Sequence, residues 1–161
     1  MILNIIILAL VTAQRLGELL LSKRNTSRLL AEGAREHAPG HYPLIVAVHV
    51  AWLAALWWLA PWQPVDMFWL AMFAIVELAR VWVLASLGPR WTTRIIVLPD
   101  APLVRTGPYR LLSHPNYVVV VAEILVLPLV FGLWQLALLF TVLNAAILAV
   151  RIRAENRALG R

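Results

Sequence analysis

The segment 105–117 holds the densest group of side chains that could do chemistry. Tyr109, His114 and Tyr117 supply aromatic and hydrogen-bonding groups within this short stretch. A Gly-Pro pair indicates a turn, and Pro115 suits the first turn of a helix, where its missing N–H is no loss. Free N–H groups at such a helix start favour an anion, for example a carboxylate. The segment is therefore the first candidate for a binding site.

A second group of polar side chains lies near the C-terminus. Four residues at helical spacing share one stripe of a helix: Asn144, Leu148, Arg151 and Glu155. Arg153 and Asn156 fall on a neighbouring or opposite face. In isolation these arginines are also typical of an anchor at a membrane surface.

Charged residues also occur inside apolar runs. Arg15 and Glu18, and likewise Glu77 and Arg80, are three residues apart, so each pair can partly neutralise itself on a helix. An isolated charge at the centre of a bilayer costs about 2.5–3.5 kcal/mol on insertion scales, so pairing or an inward orientation is expected. The pairs either pin helices together or form a polar wall of a substrate cavity, and the sequence leaves both readings open.

Glu123 has no partner at helical spacing, so we expect it to face the interior of a helix bundle or water. Its role, functional or structural, stays open. His49 is interpreted as a hydrogen-bonded packing residue, and His37 and His41 as parts of a solvated turn. The chain has no cysteine and no His-Glu-x-x-His spacing, so we predict no metal site.

The composition indicates a membrane protein. Apolar residues make up 62% of the chain and charged residues 14%, whereas a soluble domain is nearer half and a quarter. The single core of a soluble domain of this length could not hide so much apolar surface. The basic residues lie in short clusters between apolar runs, which argues against a nucleic-acid-binding face.

Five apolar runs predict five helices: 2–21, 44–60, 67–87, 117–131 and 133–150. Crossing a hydrocarbon core of about 30 Å takes roughly 20 residues. The fourth run is short and contains Pro128, so we expect a kinked or partial crossing that forms a hairpin with the fifth. The predicted fold is all-α: one integral membrane domain over residues 1–161, with about five transmembrane helices and a C-terminal helical hairpin.

The basic residues predict the orientation. The segments after the first, third and fifth runs hold four each, or twelve of the 14 lysines and arginines, and the two other connections hold none. The positive-inside rule then places the N-terminus outside and the C-terminus in the cytosol. Five tryptophans around the second and third runs are interpreted as an interfacial belt on the outer side: Trp52, Trp57, Trp58, Trp62 and Trp69.

The two polar groups together resemble the isoprenylcysteine carboxyl methyltransferase family of membrane enzymes. The family pattern is an Arg-x-Gly-Pro-Tyr turn, a His-Pro-x-Tyr at the head of a helix, and a terminal Arg-x-Glu-Glu after a helical hairpin. All but one element occurs here in that order, over about residues 105–160. The departure is Asn156, where the family usually has its second glutamate. Arg15-x-x-Glu18 followed by Ser-Lys-Arg-Asn at 22–25 is similar to a bacterial branch associated with O-methylation of alkylpyrones or alkylresorcinols.

The resemblance implies S-adenosylmethionine as methyl donor and S-adenosylhomocysteine as product, bound at the cytosolic half of the hairpin in a bacterial inner membrane. Carried over by position, it implies a cofactor pocket formed by Tyr109, His114, Pro115, Tyr117 and Glu155, with Asn156 at the place of the second glutamate. Aromatic faces and carboxylates tolerate a positive sulfonium, which makes Glu123 a further expected neighbour of the donor.

The resemblance also bears on the acceptor. Arg153 matches the family's arginine near the acceptor group, while the helical stripe favours Arg151, and both stay candidates. An arginine can hold a carboxylate acceptor, whereas a phenol or enol needs a base, and His114 is the nearby imidazole. We expect a lipophilic small molecule that enters from the bilayer, with a prenylcysteine carboxylate or a phospholipid amine as alternative acceptors in the same reaction class. We also expect contact with membrane lipids and no nucleic acid, and the oligomeric state stays open.

Two other classes of protein stay as alternatives. A sterol-type reductase that uses NADPH shares parts of the C-terminal pattern, but about ten spans are expected there, more than this chain can supply. A small transporter or a non-enzymatic membrane component would instead use the paired intramembrane charges for gating or assembly.

Overall fold

The computed structural model describes residues 1–99 and 101–160; Arg161, counted above with the basic tail, lies outside the described residues. Five long helices dominate the fold: α1 (Ile2–Ala31), α2 (Tyr42–Leu59), α3 (Met67–Leu87), α4 (Pro115–Val130) and α5 (Trp134–Ala158). Two short strands, β1 (Arg35–Glu36) and β2 (Ile96–Val97), pair antiparallel. Short 3-10 helices occupy the connections at Pro39–His41, Ala60–Trp62, Gly88–Arg90 and Gly107–Arg110.

The helices confirm the prediction of an all-α integral membrane protein. Four of them, α1, α2, α3 and α5, are long and apolar enough to cross a membrane, and α4, with 16 residues, is the shorter one. α1 and α5 continue beyond the predicted apolar runs, to Ala31 and Ala158. The added turns are rich in Arg, Ala and Leu, which are strong helix formers.

α4 and α5 form the expected C-terminal hairpin. Gly132 adopts φ +68°, and the N–H of Leu133 donates to the carbonyl of Pro128 (3.0 Å) while the N–H of Gly132 donates to that of Leu129 (3.0 Å). This bond pair is a Schellman motif, which ends a helix with a residue in the left-handed region. The hairpin therefore turns within three residues and brings the start of α4 beside the end of α5.

The apolar core lies towards the end of the bundle where this hairpin turns. Leu8, Leu56, Leu127 and Phe131 are completely buried there, from α1, α2, α4 and the hairpin turn. Asn4 donates to the carbonyls of Ala60 (2.7 Å) and Gln63 (2.8 Å), which ties the start of α1 to the α2–α3 connection.

The opposite end of the bundle, here called the basic end, joins the three segments that are rich in arginine and lysine. Asn25 at the end of α1 donates to the carbonyl of Trp91, just after α3 (2.8 Å). Arg94, just before β2, pairs with Glu36 of β1 (3.0 Å). The basic segments thus meet at one end, as the alternation of five helices predicts.

The tryptophans divide into two groups. Trp58 and Trp62 are 82% and 78% exposed on the bundle surface, as side chains that face lipid would be. Trp52 is only 1% exposed and packs in the core, so the interpretation of this residue as part of an interfacial belt was wrong. Its position on the inward face of α2 decides this.

Candidate active site

A buried ion-pair network joins three helices in the middle of the bundle. Arg80 on α3 donates to both carboxylate oxygens of Glu18 on α1 (2.8 and 2.6 Å). Glu123 on α4 is completely buried and binds Arg15 (2.8 Å) and Arg80 (3.3 Å). Arg15 also pairs with Glu18 (3.2 Å), as predicted. Two arginines and two glutamates balance, which is the condition for keeping charges out of water.

The predicted Glu77–Arg80 pair was wrong. Arg80 turns away from its helical neighbour to bind Glu18 and Glu123, and Glu77 makes no ion pair among the residues that the structure describes. The carboxylates of α1 and α4 offer Arg80 two charge-assisted partners at once, which outweighs one neighbour on its own helix. Glu123, which has no partner at helical spacing on α4, therefore finds its ion-pair partners on α1 and α3.

A cavity of about 180 Å³ with a mixed polar and apolar lining opens at the basic end; it is called the polar cavity here, in contrast to the more apolar one described below. It lies between the loop after α3, the segment before α4 and the end of α5. Tyr109, His114, Tyr117, Arg151 and Glu155 all line it, although 46 residues of sequence separate the first from the last. The structure therefore brings the two polar groups of the sequence into one cavity.

Tyr117 links α4 to α5 at the floor of this cavity. Its hydroxyl donates to Glu155 and accepts a hydrogen bond from Nε of Arg151 (2.8 Å), and the Arg151 guanidinium lies 5.5 Å from the Tyr117 ring centre. Arg151 and Glu155 reach it together because a spacing of four residues puts them on one stripe of α5. The hydrogen bonds fix the position of all three side chains.

His114 precedes α4 and lies parallel to the Tyr117 ring, with ring centres 5.4 Å apart. Its Nε2 hydrogen-bonds to Oδ1 of Asn156 (2.9 Å), and its Nδ1 lies 3.7 Å from Glu155. An amide oxygen only accepts, so Nε2 carries the proton in this bond. Asn156 itself does not line the polar cavity but holds a residue that does.

The turn before α4 depends on a glycine. Gly107 has φ +54°, and a Cβ atom there would lie 2.1 Å from Oγ of Ser86 on α3. The Gly-Pro turn can therefore pack directly against α3, and it places Tyr109 in the cavity wall. Burial, and secondarily the negative charge of Glu155, raises the pKa of the Tyr109 phenol, so this side chain is a neutral donor and no base.

A second, largely apolar cavity of about 220 Å³ lies between α1 and α2. Leu16 and Val50 line it and are 58% and 61% exposed on the bundle surface, so this cavity opens towards the lipid-facing side. Its inner wall contains Arg15, Glu18 and Arg80 of the ion-pair network, together with His49.

The two cavities share one wall. Trp91, Thr92, Asn116, Tyr117 and Arg151 line both of them. Trp91 is almost completely buried and donates from its ring nitrogen to Oδ1 of Asn116 (3.3 Å), and the Arg80 guanidinium lies 5.9 Å from its ring. A polar compartment and an apolar compartment therefore meet at Tyr117 and Arg151.

Other residues of the predicted site lie elsewhere. Arg153 is exposed and lines neither cavity, whereas Arg151 is 6% exposed and lines both. Pro115 is buried at the first position of α4 and shapes the helix start without lining a cavity. Glu123 is held by two arginines and also lines neither.

Sequence reasoning missed Trp91 and Asn116. Asn116 occupies the unspecified position of the His-Pro-x-Tyr pattern, so the pattern predicts no role for it. Trp91 follows the Gly-Pro-Arg turn after α3, and its distance from both polar groups in sequence gave no indication of a role.

The fold and the site define a class: a helical membrane protein whose polar pocket meets an apolar, lipid-facing one. The chain belongs to the isoprenylcysteine carboxyl methyltransferase family, whose model matches residues 69–161. Membership places it among the membrane methyltransferases. The matched range contains α4, α5 and every residue of the shared wall.

Relatives in two bacteria are similar over nearly their full lengths. The uncharacterized protein YpbQ of Bacillus subtilis is 38% identical over 160 residues, which cover 96% of this chain and 95% of the relative. An uncharacterized protein of Haemophilus influenzae is 29% identical over 159 residues, covering 94% and 91%. No solved structure matches the chain.

Proposed function

We propose that this protein is an S-adenosylmethionine-dependent O-methyltransferase acting on a carboxyl or hydroxyl oxygen of a lipophilic molecule. The observation that carries the proposal is the shared wall. A polar cavity suited to a charged metabolite and an apolar cavity suited to a lipid-like molecule meet at Tyr117 and Arg151. Methyl transfer needs its two reactants held in line and away from water, which such a junction provides.

The residues of the polar cavity fit the donor chemically. Glu155 offers a carboxylate and Tyr109 and Tyr117 offer aromatic rings, which suit a sulfonium and an ammonium group. Arg90 and Arg94 line the same cavity and can bind a carboxylate. When bound, S-adenosylmethionine supplies an electrophilic methyl group.

Arg151 is the residue that we assign to the acceptor group. It is buried, lines both cavities, and is oriented by its hydrogen bond to Tyr117. A guanidinium held in this way can bind a carboxylate or stabilise an oxyanion. Arg153, which lines neither cavity, is left as part of the basic surface.

The acceptor that we propose is a lipophilic small molecule that enters sideways from the bilayer between α1 and α2. The opening beside Leu16 and Val50 supports this route. Alkylpyrones and alkylresorcinols, which the bacterial branch methylates, have the apolar chain and polar head that these cavities suit. A prenylcysteine carboxylate is the alternative within the same reaction class.

The proposed location is a bacterial inner membrane, with the N-terminus outside and the basic end in the cytosol. The positive-inside rule supports it, and so does the donor, a charged metabolite made in the cytosol, whose cavity opens at the basic end.

Calorimetric titration of S-adenosylmethionine and S-adenosylhomocysteine into the purified protein, in detergent and in nanodiscs, tests the donor site. We expect micromolar binding that Glu155→Ala and His114→Ala abolish, because both side chains line the polar cavity. Glu32→Ala and His37→Ala are matched controls, since these residues lie outside both cavities.

Absence of donor binding by the folded wild type in both media would overturn the proposal. The ion-pair network would then become the main candidate for a functional site, as the transporter alternative requires. Loss of binding in the control variants would show that the assay reports folding instead of the site.

A further inference from the structure

A third concave surface, an open groove of about 520 Å³, lies beside the polar cavity at the basic end. It is formed by the segment 104–113, and two of its lining residues are Arg105 and Arg110, so it is called the arginine groove here. Leu111 and Leu112 also line it. Tyr109 lines both the arginine groove and the polar cavity. Neither the proposed methyl donor nor the proposed acceptor uses this groove.

The packing of the groove against α3 shows its depth in the membrane. A Cβ atom at Gly107 would lie 2.1 Å from Oγ of Ser86 and 3.1 Å from Nε1 of Trp82. These residues lie one and five positions before the end of α3, which is about 1.5 and 7.5 Å at 1.5 Å per residue. The 21 residues of α3 just span a hydrocarbon core of about 30 Å. The segment before α4 therefore lies at the boundary between hydrocarbon and head groups.

Apolar side chains around the groove face outward at this boundary. Leu111 is 80% exposed, and Leu112 and Trp82 are about half exposed. Tryptophan is typical of the membrane interface, and exposed leucines at this depth can contact acyl chains. The groove therefore faces lipid along one side.

The charge of the groove is positive and is not balanced within the segment. The sequence has no aspartate or glutamate from 101 to 122. Neither Arg105 nor Arg110 forms an ion pair with a residue that the structure describes. A guanidinium binds phosphate oxygens through paired hydrogen bonds. Two cations beside two exposed leucines are thus complementary to a phosphate with acyl chains attached.

We propose that the arginine groove binds an anionic phospholipid from the leaflet at the basic end. Its phosphate lies on Arg105 and Arg110, and its chains lie beside Leu111 and Leu112. The lipid is a bound ligand, distinct from the methyl acceptor of the apolar cavity. Free phosphate has the same charge chemistry but no chains, so the leucines favour the lipid as occupant.

Tyr109 connects the groove to the polar cavity, because its side chain forms part of both walls. A lipid in the groove should hold this side chain in place and so strengthen the binding of S-adenosylmethionine. A coupling of about fivefold is the lower end of the usual range, and the donor should strengthen lipid binding by the same factor. This coupling rests on the proposed function, whereas lipid binding itself does not.

Calorimetric titration of the detergent-purified protein with dioctanoyl phosphatidylglycerol, dioctanoyl phosphatidylcholine and inorganic phosphate tests the site. We expect the wild type to prefer phosphatidylglycerol to phosphatidylcholine by about tenfold or more, because two arginines face an unbalanced phosphate charge. The double variant Arg105→Gln/Arg110→Gln should lose this preference. Its matched control is Lys23→Gln/Arg24→Gln, which removes the same charge from exposed side chains at the basic end that line neither the groove nor the cavities.

Leu111→Ser separates the lipid from a free anion. We expect it to weaken the binding of phosphatidylglycerol about fivefold, because the contact with the acyl chain is lost. Equal affinity of the wild type for the two lipids would overturn the proposal, and so would an equal loss in the two double variants. Binding of inorganic phosphate as tight as that of phosphatidylglycerol would overturn the lipid as occupant.

Nanodiscs of phosphatidylcholine with and without phosphatidylglycerol test the coupling. We expect the affinity for S-adenosylmethionine to be about fivefold higher with phosphatidylglycerol in the wild type and in the Lys23→Gln/Arg24→Gln control. Arg105→Gln/Arg110→Gln should show no difference, and equal donor affinity of the wild type in both discs would overturn the coupling. If the wild type binds no donor in either disc, the proposed function fails, while the lipid titrations still decide what the groove binds.

Discussion

At the scale of single residues, the site depends on one hydroxyl that serves two partners. The Tyr117 hydroxyl joins Arg151 to Glu155, so a guanidinium and a carboxylate are held in place by the same oxygen. Hydrogen bonds to charged groups are worth about 1.5–3 kcal/mol each, more than neutral ones. A change at Tyr117 should therefore reach both cavities.

Tyr117→Phe keeps the ring and removes the hydroxyl. We expect its affinity for S-adenosylmethionine to fall about tenfold or more, because Glu155 loses its donor and turns freely. In the double variant Tyr117→Phe/Glu155→Gln, the loss of binding free energy should be smaller than the sum of the losses in the two single variants, as is usual for residues in contact. Tyr42→Phe, outside the polar cavity, serves as the calorimetric control.

Substitutions can also distinguish the roles of the two arginines near the end of α5. Arg151→Gln should lower kcat/KM by about 100-fold, because the group that we assign to the acceptor is lost. Arg153→Gln should change it less than twofold, since Arg153 is exposed. A radiometric assay with methyl-labelled donor measures both, and the reverse order of effects would return the acceptor role to Arg153.

At the scale of the helices, the ion-pair network fixes how α1, α3 and α4 are rotated relative to one another. Glu123 contributes the link between α4 and both arginines. Removing one member of a buried charge network leaves the others uncompensated, which costs more than the network itself is worth. The walls of the apolar cavity contain three of its members, so its shape depends on the same contacts.

Glu123→Gln should therefore destabilise the protein by about 3–5 kcal/mol. Thermal unfolding in nanodiscs, followed by circular dichroism, measures the shift in Tm. Glu77→Gln is the matched control, since Glu77 makes no ion pair among the described residues. Similar Tm values for the two variants would show that the network does not hold the helices.

The turn before α4 is a second feature that acts at the scale of the helices, because it positions Tyr109. Gly107→Ala places a methyl group against Ser86 at a positive φ, so the turn must move and carry Tyr109 with it. We expect weaker donor binding, with the helical content retained. Gly17→Ala is the control, because a Cβ atom there meets nothing within 4 Å. Unchanged donor affinity in Gly107→Ala would remove Tyr109 from the donor site.

At the scale of the whole molecule, the bundle has one cavity that opens at its basic end and another that opens on its lipid-facing side. The polar cavity lies at the basic end, and the apolar cavity opens between α1 and α2 on the lipid-facing side. The apolar core fills the other end of the bundle. The water-soluble donor and the lipid-soluble acceptor that we propose can then reach one junction, the donor from water and the acceptor from lipid.

The chain has no cysteine, so single cysteines report its orientation directly. In intact cells, a maleimide that cannot cross membranes should label Pro64→Cys, in the α2–α3 connection. Arg110→Cys, at the basic end, should react only after permeabilisation. Both positions are exposed. The opposite labelling pattern would invert the proposed orientation and place the donor cavity away from the cytosol.

The sequence by itself determined the helices, their alternation and the end at which the basic segments meet, because apolar length and local spacing are properties of neighbouring residues. It also placed Arg151 and Glu155 on one stripe and His114 and Tyr117 at one helix start. The order of these motifs was enough to indicate the family.

Only the tertiary structure decided which groups face each other. It gave Glu123 its partners on α1 and α3, placed Arg151 and not Arg153 at the junction, and brought Trp91 into the wall of both cavities. These outcomes depend on the rotation of each helix about its axis and on contacts between residues far apart in the chain. Local periodicity does not specify either, so packing alone settles them.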